Sequence, residues 1–251
     1  MMDSSVVSKL LGIFEATAGR ADGVPLVEIS AEVGLAKPTA HRILKQPVAT
    51  GFMERCGPGV YRQTAQAWRL VSLDGDRRLT RAADKPLLAL WQATGETANL
   101  GVLRQGKVVY LTVLESPQPL RRSVSPTMTD PFACTALGRA IAAHLPAERL
   151  DYLLEHTAME KRTPNTNVDP AAIRELLQAA RDQGYAVEED ETDLGVMCLG
   201  AAIFDDGRVV AGVSLSAPTA RAGRGQRKAW TEAVRAAADE ITARLGESHG
   251  D

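Results

Sequence analysis

Hydrophobic residues in the first 35 positions recur at intervals of three and four, the spacing that places side chains on one face of a helix. Residues 5–18 form one such run, and Ser4 or Ser5 is placed to cap its start. Residues 26–33 form a second, shorter run that ends at Gly34. The pattern therefore predicts two short helices, the second ending in a glycine turn.

A third helix and a hairpin are predicted next. Residues 36–46 have helical spacing, with Pro38 in the first turn, where its missing N–H costs nothing. Pro47 follows, and because an interior proline costs about 3 kcal/mol, we expect the helix to end just before it or to kink. Residues 51–64 alternate in polarity around a Gly-Pro-Gly turn at 57–59, which is typical of a β-hairpin.

The remaining chain has a mixed pattern. Residues 64–94 favour two helical pieces separated by a charged, glycine-containing break at 73–78. Beyond them, apolar segments predict strands at 99–116 (a pair), 184–190, 196–204 and 208–216. Helical spacing predicts helices at 137–156 (split by Pro146), 169–184 (Asp169 cap, Gly184 stop) and 226–246. The predicted fold class is α+β, with an N-terminal domain at 1–63, a linker helix at 64–80 and a larger mixed α/β domain at 81–251.

The composition is that of an ordinary globular protein, since 45% of the 251 residues are hydrophobic and 24% are charged. It excludes a mainly disordered, collagen-like or disulfide-scaffold protein. The three cysteines are widely spaced and form no metal-binding pair, which favours a reducing, intracellular environment. No segment has the features of a signal peptide or reaches about 18 apolar residues, so we expect a cytoplasmic protein.

The net charge of −2 hides a basic segment. Residues 36–62 carry five basic side chains, Lys37, Arg42, Lys45, Arg55 and Arg62, against a single acid, Glu54. A helix after a tight turn, with basic and hydroxyl groups near its start, suits the major groove of DNA. A solvated basic helix would carry the same charges, but the order helix, helix, turn, helix and basic hairpin favours a winged helix-turn-helix.

The polar residues of this segment suit different DNA contacts. Lys37 and Arg42 can reach phosphates or guanine edges, and Thr39 and His41 can contact bases or the backbone. The hairpin tip lies between two arginines and has the shape of a wing that follows the DNA backbone. The predicted DNA-binding residues are Lys37, Pro38, Thr39, His41, Arg42, Lys45, Arg55 and Arg62.

Four segments resemble the IclR family of bacterial transcriptional regulators, and together they run nearly end to end. In the first domain they are LVEISAEVGLAKPTAHRILK (26–45), similar to the family's helix-turn-helix, and GFMERCGPGVYRQT (51–64), similar to its wing. In the second domain they are DPFACTALGRAIAAHLP (130–146) and GYAVEEDETDLGVMCLGAAIFDDGRVVAGVSLSAPTAR (184–221). The last segment is the most diagnostic, because it orders GYAV, an acidic run, GVxC and a hairpin ending in SxS before a proline.

The resemblance implies a winged helix-turn-helix, a linker helix and a GAF-like C-terminal domain in which helices pack on an antiparallel sheet. It also implies a homodimer or dimer of dimers that binds a roughly palindromic double-stranded DNA operator. The expected small-molecule effector is an organic or aromatic acid, and a repressor is favoured because repressors are commoner in the family. By position, the family's effector contacts fall on Leu120, Thr135, Ala136, Glu188, Cys198, Ser214 and Ser216.

The chemistry of these positions suits an acid. Thr135 and Ala136 precede a predicted helix, whose first amides can hold a carboxylate. Ser214 and Ser216 lie two apart on a predicted strand, so their hydroxyls point to the same face.

Other candidate residues are less specific. The acidic run at 188–191 has no ligand-spaced histidines beside it, so a solvated loop is favoured over a metal site, and no metal or cofactor is expected. Cys198, on an apolar strand, is typical of a core residue, whereas Cys134, just before a helix, has the better claim to a lowered pKa. Arg121 and Arg122 suit either an acidic effector or a solvated strand edge.

Two other functional classes are weighed against a regulator. An enzyme is not favoured, because the sequence contains no GxSxG, HExxH, Walker or GxGxxG pattern. A ligand sensor that acts through a protein partner is an alternative, although the basic segment at 36–62 argues against it. An activator of the same family is a further alternative.

Overall fold

The chain forms two compact units, Met1–Asp76 and Arg77–Asp251. The computed structural model describes residues 5–17, 20, 22–104, 106–126 and 128–247, without the side chains of 65 and 68–75. Ser4, one of the two expected caps of the first helix, lies outside the described residues.

Among its described residues, the first unit contains three helices, the beginning of a fourth and a small sheet. The helices are α1 (Val6–Thr17), α2 (Leu26–Glu32) and α3 (Lys37–Ala49), and the strands are β1 (Val24–Pro25), β2 (Met53–Gly57) and β3 (Val60–Gln63). The sheet is antiparallel in the order β1-β3-β2. The hydrophobic core between this sheet and the helices contains Ile13, Ile29, Leu44, Met53 and Tyr61. Ser5 caps α1, because its Oγ accepts the backbone N–H of Ser8 at 3.1 Å. The predicted order of helices and hairpin is confirmed.

The turn between α2 and α3 depends on Gly34. Its φ of +68° lies in the left-handed region that favours glycine. The backbone N–H of Leu35 then reaches back to the carbonyl of Ser30 at 2.8 Å, which satisfies one of the last carbonyls of α2. The glycine turn expected from the sequence is therefore present, and it sets the orientation of α3.

Pro47 does not end α3. The helix continues to Ala49, so the expected end just before Pro47 is wrong. A proline removes the N–H that would bond four residues back and crowds the carbonyl there, but Pro47 lies two residues before the end of the helix, so only its last turn is affected. The Pro47 ring is buried, and its carbonyl accepts the backbone N–H of Phe52 at 2.8 Å, which leads the chain into β2.

The expected break at 73–78 is also wrong, because α4 (Ala65–Thr94) is one continuous helix. A glycine within a helix costs only about 1 kcal/mol, and tertiary packing outweighs that cost. Leu79, Ala83, Leu87 and Leu90 recur at helical spacing and are buried in the core of the second unit.

In the described part of the second unit, α4 is followed by four further α-helices and six strands. The helices are α5 (Ala136–Ala142), α6 (Ala147–His156), α7 (Pro170–Gln183) and α8 (Arg224–Glu247). The strands are β4 (Thr97–Arg104), β5 (Lys107–Leu114), β6 (Thr129–Pro131), β7 (Ala186–Glu189), β8 (Val196–Asp205) and β9 (Arg208–Pro218). They form an antiparallel sheet in the order β6-β5-β4-β9-β8-β7, as the α+β prediction requires.

The two faces of this sheet differ in chemistry. On one face, odd-numbered residues of β8 and β9, such as Leu199 and Leu215, form a hydrophobic core with α4 and α8. Because side chains alternate along a strand, even-numbered residues such as Cys198 and Ser216 lie on the opposite face, which α5 covers. This second face carries the polar residues.

Helix α5 approaches the sheet at Gly200. A Cβ at this position would lie 2.5 Å from the carbonyl oxygen of Ala136 and 2.9 Å from the backbone nitrogen of Leu137. Backbone atoms cannot rotate away as side chains can. Glycine is therefore required at this point of β8, and a glycine inside a strand often marks such a close approach.

The substitution Gly200→Ala should lower the free energy of unfolding by about 1–3 kcal/mol, because the added methyl group overpacks α5 against β8. Urea unfolding of the full chain measures this. Gly225→Ala in α8 is the control, since its Cβ would meet no atom within 4 Å and alanine is the better helix former. Wild-type stability for Gly200→Ala would contradict the close packing.

Candidate functional site

Helix α3 has a polar side opposite its core-facing side. Its buried residues are Ala40, Ile43, Leu44 and Pro47. Lys37, Pro38, Arg42 and Lys45 are exposed, and Thr39 and His41 are half-buried. The six predicted DNA contacts on this helix are therefore outside the hydrophobic core. A helix that enters a groove of DNA requires this.

Arg55 joins the hairpin to α3. Its Nη2 lies 2.9 Å from Nε2 of His41, and because arginine can only donate, this imidazole nitrogen is the acceptor. The Arg55 guanidinium also lies 5.3 Å from the ring centroid of Tyr61, a cation–π distance. The structure thus brings His41 and Arg55 together, although 14 positions separate them in the sequence.

Arg62 differs from the other predicted contacts. Its Nε lies 2.6 Å from Oε1 of Glu54 on the neighbouring strand. The two opposite charges largely cancel on the hairpin itself. Among the predicted DNA contacts, the positive charge therefore lies mainly on Lys37, Arg42 and Lys45 of α3, together with Arg55.

Three of the predicted effector contacts form a row across the sheet in the second unit. Glu188 on β7 lies opposite Cys198 on β8, which lies opposite Ser216 on β9. The Cys198 thiol donates to Ser216 Oγ at 3.2 Å. Ser214 lies two residues before Ser216 on β9, on the same face of the sheet and opposite Gly200. The register therefore brings four predicted contacts to one buried patch.

Thr135 and Ala136 border this patch, because Ala136 packs against Gly200 at the start of α5. The Thr135 hydroxyl is already engaged: it accepts the backbone N–H of Gly138 at 3.1 Å and donates to the carbonyl of Pro131 at 3.2 Å. It acts as the N-cap of α5, a helix of only seven residues. The structure therefore gives Thr135 a folding role.

Leu120 is separate from the other six residues. Its side chain is 65% exposed. Its carbonyl accepts from Nη2 of Arg221 at 3.0 Å, and Arg221 in turn pairs with Glu96 at 2.6 Å. This ion pair holds the segment that carries Leu120 at the surface.

Glu188 is buried, with 1% of its surface exposed. Its Oε1 accepts three hydrogen bonds, from the backbone N–H groups of Glu191 and Thr192, both at 2.8 Å, and from the Thr192 hydroxyl at 3.1 Å. Among the described residues, its Oε2 has no hydrogen-bond partner. Burial raises the pKa of Glu188, although the backbone donors oppose the rise.

Neither buried cysteine has the properties of a reactive thiol. Burial raises the pKa of Cys198 well above its ordinary value, and the charge of Glu188 adds to the rise while Arg122 opposes it. Burial also raises the pKa of Cys134 to about 12. Cys134, which has the better claim to a lowered pKa by its place before a helix, does not have one, because desolvation outweighs the opposing charge of Arg162.

Arg122 belongs to a buried cluster beside the patch that the sequence does not reveal. Asp130 is fully buried and accepts from the Tyr110 hydroxyl at 2.8 Å, from Arg122 Nη2 at 2.7 Å and from Arg162. Burial works against ionisation, but these donors hold the pKa of Asp130 below its usual value. The Arg122 Nε also donates to Asp193 at 3.1 Å. Arg122 is thus a buried cation and not part of a solvated edge.

Arg121 has the opposite environment. It is exposed and pairs with Glu115 at 3.2 Å. Both neighbouring arginines are therefore paired with carboxylates, Arg122 in the interior and Arg121 at the surface.

Arg139 fastens α5 to the segment that carries Glu188. It is 1% exposed and donates to both carboxylate oxygens of Glu191, at 2.7 and 2.6 Å. It also donates to the carbonyls of Ala133 at 2.6 Å and Val187 at 3.1 Å. The signal for this residue in the sequence is an arginine inside the apolar run ALGRAIAA.

The acidic run at 188–191 is not the expected solvated loop. Glu189 pairs with Arg227 at 2.5 Å, Asp190 accepts the backbone N–H of Gly195 at 2.5 Å, and Glu191 holds Arg139. Its side chains thus face different partners. Across the described residues, no group of three or more histidine, cysteine or acidic side chains could hold a metal ion.

Comparisons with known proteins agree in both units. Residues 6–55 match the IclR helix-turn-helix domain, and residues 74–243 match the bacterial transcriptional regulator IclR C-terminal domain. The chain belongs to the IclR family. It is 34% identical to the HTH-type transcriptional regulator BhcR of Paracoccus denitrificans over 230 residues, which cover 88% of this chain and 80% of that one.

Two further similarities extend across both units. The transcriptional repressor IclR of Escherichia coli is 30% identical over 241 residues, covering 94% of this chain and 88% of its own. The crystal structure of Thermotoga maritima IclR matches with a TM-score of 0.66 and 26% identity, covering 96% of this chain and 98% of that one.

IclR-family membership confirms several expectations. The chain is a DNA-binding transcriptional regulator and not an enzyme. The fold class is confirmed as an N-terminal helix-turn-helix with a C-terminal α/β domain. None of the described helices is long and apolar enough to cross a membrane.

In this IclR-family protein, Glu191→Ala should lower the free energy of unfolding by about 3–5 kcal/mol, because it leaves the buried Arg139 guanidinium without its carboxylate. Asp151→Ala is the control. It breaks the exposed Arg174–Asp151 pair, which should change stability by about 0.5 kcal/mol or less. Urea unfolding of both variants measures the two losses in free energy of unfolding. Equal losses would show that the burial of Arg139 does not determine how much stability is lost.

Proposed function

We propose that this chain is an effector-responsive regulator, with repression the favoured outcome, that binds a palindromic operator and a small organic or aromatic acid. The observation that carries the proposal is a division of chemistry between the two units. One unit exposes a basic helix that its own core does not use, and the other buries a polar patch beneath α5. Such a pair suits one protein that binds DNA and a small molecule.

The proposed operator contacts are the eight residues predicted from the sequence. Lys37, Arg42 and Lys45 would supply phosphate or guanine contacts from α3, and Arg55 and Arg62 would extend them along the backbone. Two copies of α3 in a homodimer or dimer of dimers would read two half-sites, which makes the operator roughly palindromic. Because its target is DNA, we place the protein in the bacterial cytoplasm.

The proposed effector contacts are Thr135, Ala136, Glu188, Cys198, Ser214 and Ser216. Leu120, which lies apart at the surface, is a proposed contact by its position in the family pattern alone. The serine hydroxyls would donate to a carboxylate. In the proposed domain organisation, 1–63 binds DNA, 64–80 is a linker helix, and 81–251 binds effector and forms the oligomer.

Regulation would follow from differential affinity. An acid can shift operator binding only by as much as it prefers one conformation of the regulator over another. Repression is favoured because a relative, the E. coli protein, is named a transcriptional repressor. An activator would differ only in which conformation binds DNA.

Arg42→Ala should weaken operator binding by about 1–3 kcal/mol and, if Arg42 contacts a phosphate, reduce the salt dependence by about one counterion. Acid-induced thermal stabilisation should stay at the wild-type value, since Arg42 lies in the other unit. The matched control is Arg149→Ala, an exposed arginine on α6, which should leave operator affinity unchanged. Unchanged DNA binding by Arg42→Ala would remove α3 from the proposed interface.

The double substitution Ser214→Ala and Ser216→Ala should abolish the response to acid while operator binding persists. Removing both hydroxyls takes away the donors proposed for the carboxylate. Operator titration with and without acid measures the response, and Ser125→Ala, at an exposed serine, is the control. A response of wild-type size in the double variant would place the effector elsewhere.

A further inference from the structure

Asn99 lies at the centre of the polar patch, yet it is absent from the predicted effector contacts. It is fully buried on β4, opposite Ser214 in the register. Its Nδ2 donates to Ser214 Oγ at 3.2 Å and to Ser216 Oγ at 3.3 Å. Asn99 therefore fixes the orientation of both serine hydroxyls.

The Asn99 Oδ1 has no hydrogen-bond partner among the described residues. Buried acceptors are rarely left unpaired, because losing water without a replacement is unfavourable. Within the described part of the chain, Glu188 Oε2 is a second buried oxygen for which no hydrogen bond is found, and Glu188 lies on the same face of the sheet, in the row of Cys198 and Ser216. Two unpaired oxygens on one buried patch indicate a ligand that brings a hydrogen-bond donor.

Ser214 and Ser216 require the opposite group on a ligand, a hydrogen-bond acceptor. Each accepts from Asn99, and neither hydroxyl donates to another described residue, so two O–H groups are free to donate. A ligand that complements the patch must therefore carry an acceptor for the serines and a donor for Asn99. A carboxylate satisfies the first requirement and a hydroxyl group the second.

An ammonium group could also donate to Asn99, but its charge fits less well. Burying a charged group costs far more than burying a hydroxyl unless a charged partner compensates it, and the Asn99 carboxamide oxygen carries no charge. An uncharged hydroxyl donor avoids this cost.

We propose that Asn99 is an effector-binding residue whose free Oδ1 selects hydroxycarboxylic acids over the same acids without the hydroxyl. The proposal rests on the effector role proposed above for the second unit, and it narrows the class of acid. A site built to pair a hydroxyl discriminates against the analogue that lacks it, because the buried acceptor is then left unpaired.

Titration calorimetry of the full chain with three matched sets tests this assignment. The sets are acetate, glycolate and glycine; propionate, lactate and alanine; and benzoate with 4-hydroxybenzoate. In the set that fits the patch best, the hydroxy acid should bind at least about tenfold more tightly than its counterpart. In Asn99→Leu the ratio should fall to about two or less, whereas Asn165→Leu, at an exposed asparagine, should keep the wild-type ratio.

Each other result counts against the assignment. Equal affinities within every set, a preference for the amino acid, or an unchanged ratio in Asn99→Leu would overturn it while leaving acid binding intact. Binding of none of these acids by protein that still binds its operator would overturn both this assignment and the proposed acid effector. If Asn99→Leu does not fold, Asn99→Ala replaces it, since the smaller side chain cannot clash.

Discussion

The contacts of one buried guanidinium hold the candidate effector patch together. Arg139 joins α5 to the Glu191 carboxylate and to the carbonyl of Val187, the residue before Glu188. The Glu191 backbone then donates to Glu188 Oε1, which leaves the second oxygen on the polar face of the sheet. This chain of contacts holds the acidic segment against α5, beside Cys198 and Ser216. The strand register brings the polar residues to one face, and Arg139 fixes the segments that border them.

Much of the fold can be predicted from local pattern, because capping and hydrophobic spacing act over a few residues. Helix α7 begins after Asp169, which accepts from Ala171 at 3.1 Å, and ends at Gly184, whose φ is +79°. Local pattern fails where burial of a distant surface outweighs it. Pro47 and the charged segment at 73–78 both favour a break, yet the helices continue, because their buried faces stabilise them more than one lost hydrogen bond or a glycine destabilises them.

In the candidate sites, too, some features can be predicted from local pattern and others cannot. Strand alternation predicts that Ser214 and Ser216 share a face, and the charge pattern predicts the exposed basic side of α3. The role of Asn99 cannot be predicted in this way, because its hydrogen-bond partners are more than 100 positions away. Nor can the burial of Arg122, whose partners come from three other segments. Such residues become recognisable only when the strand register is known.

The most direct test of the account is the binding of the purified chain to the DNA upstream of its own gene, at two salt concentrations, with and without hydroxycarboxylic acids. The account predicts a sequence-specific complex that weakens as salt rises and whose affinity changes when an acid binds. If random-site selection recovered no preferred sequence from folded protein, the DNA-binding role would be contradicted. If every acid that bound left operator affinity unchanged, the coupling between the two units would be contradicted.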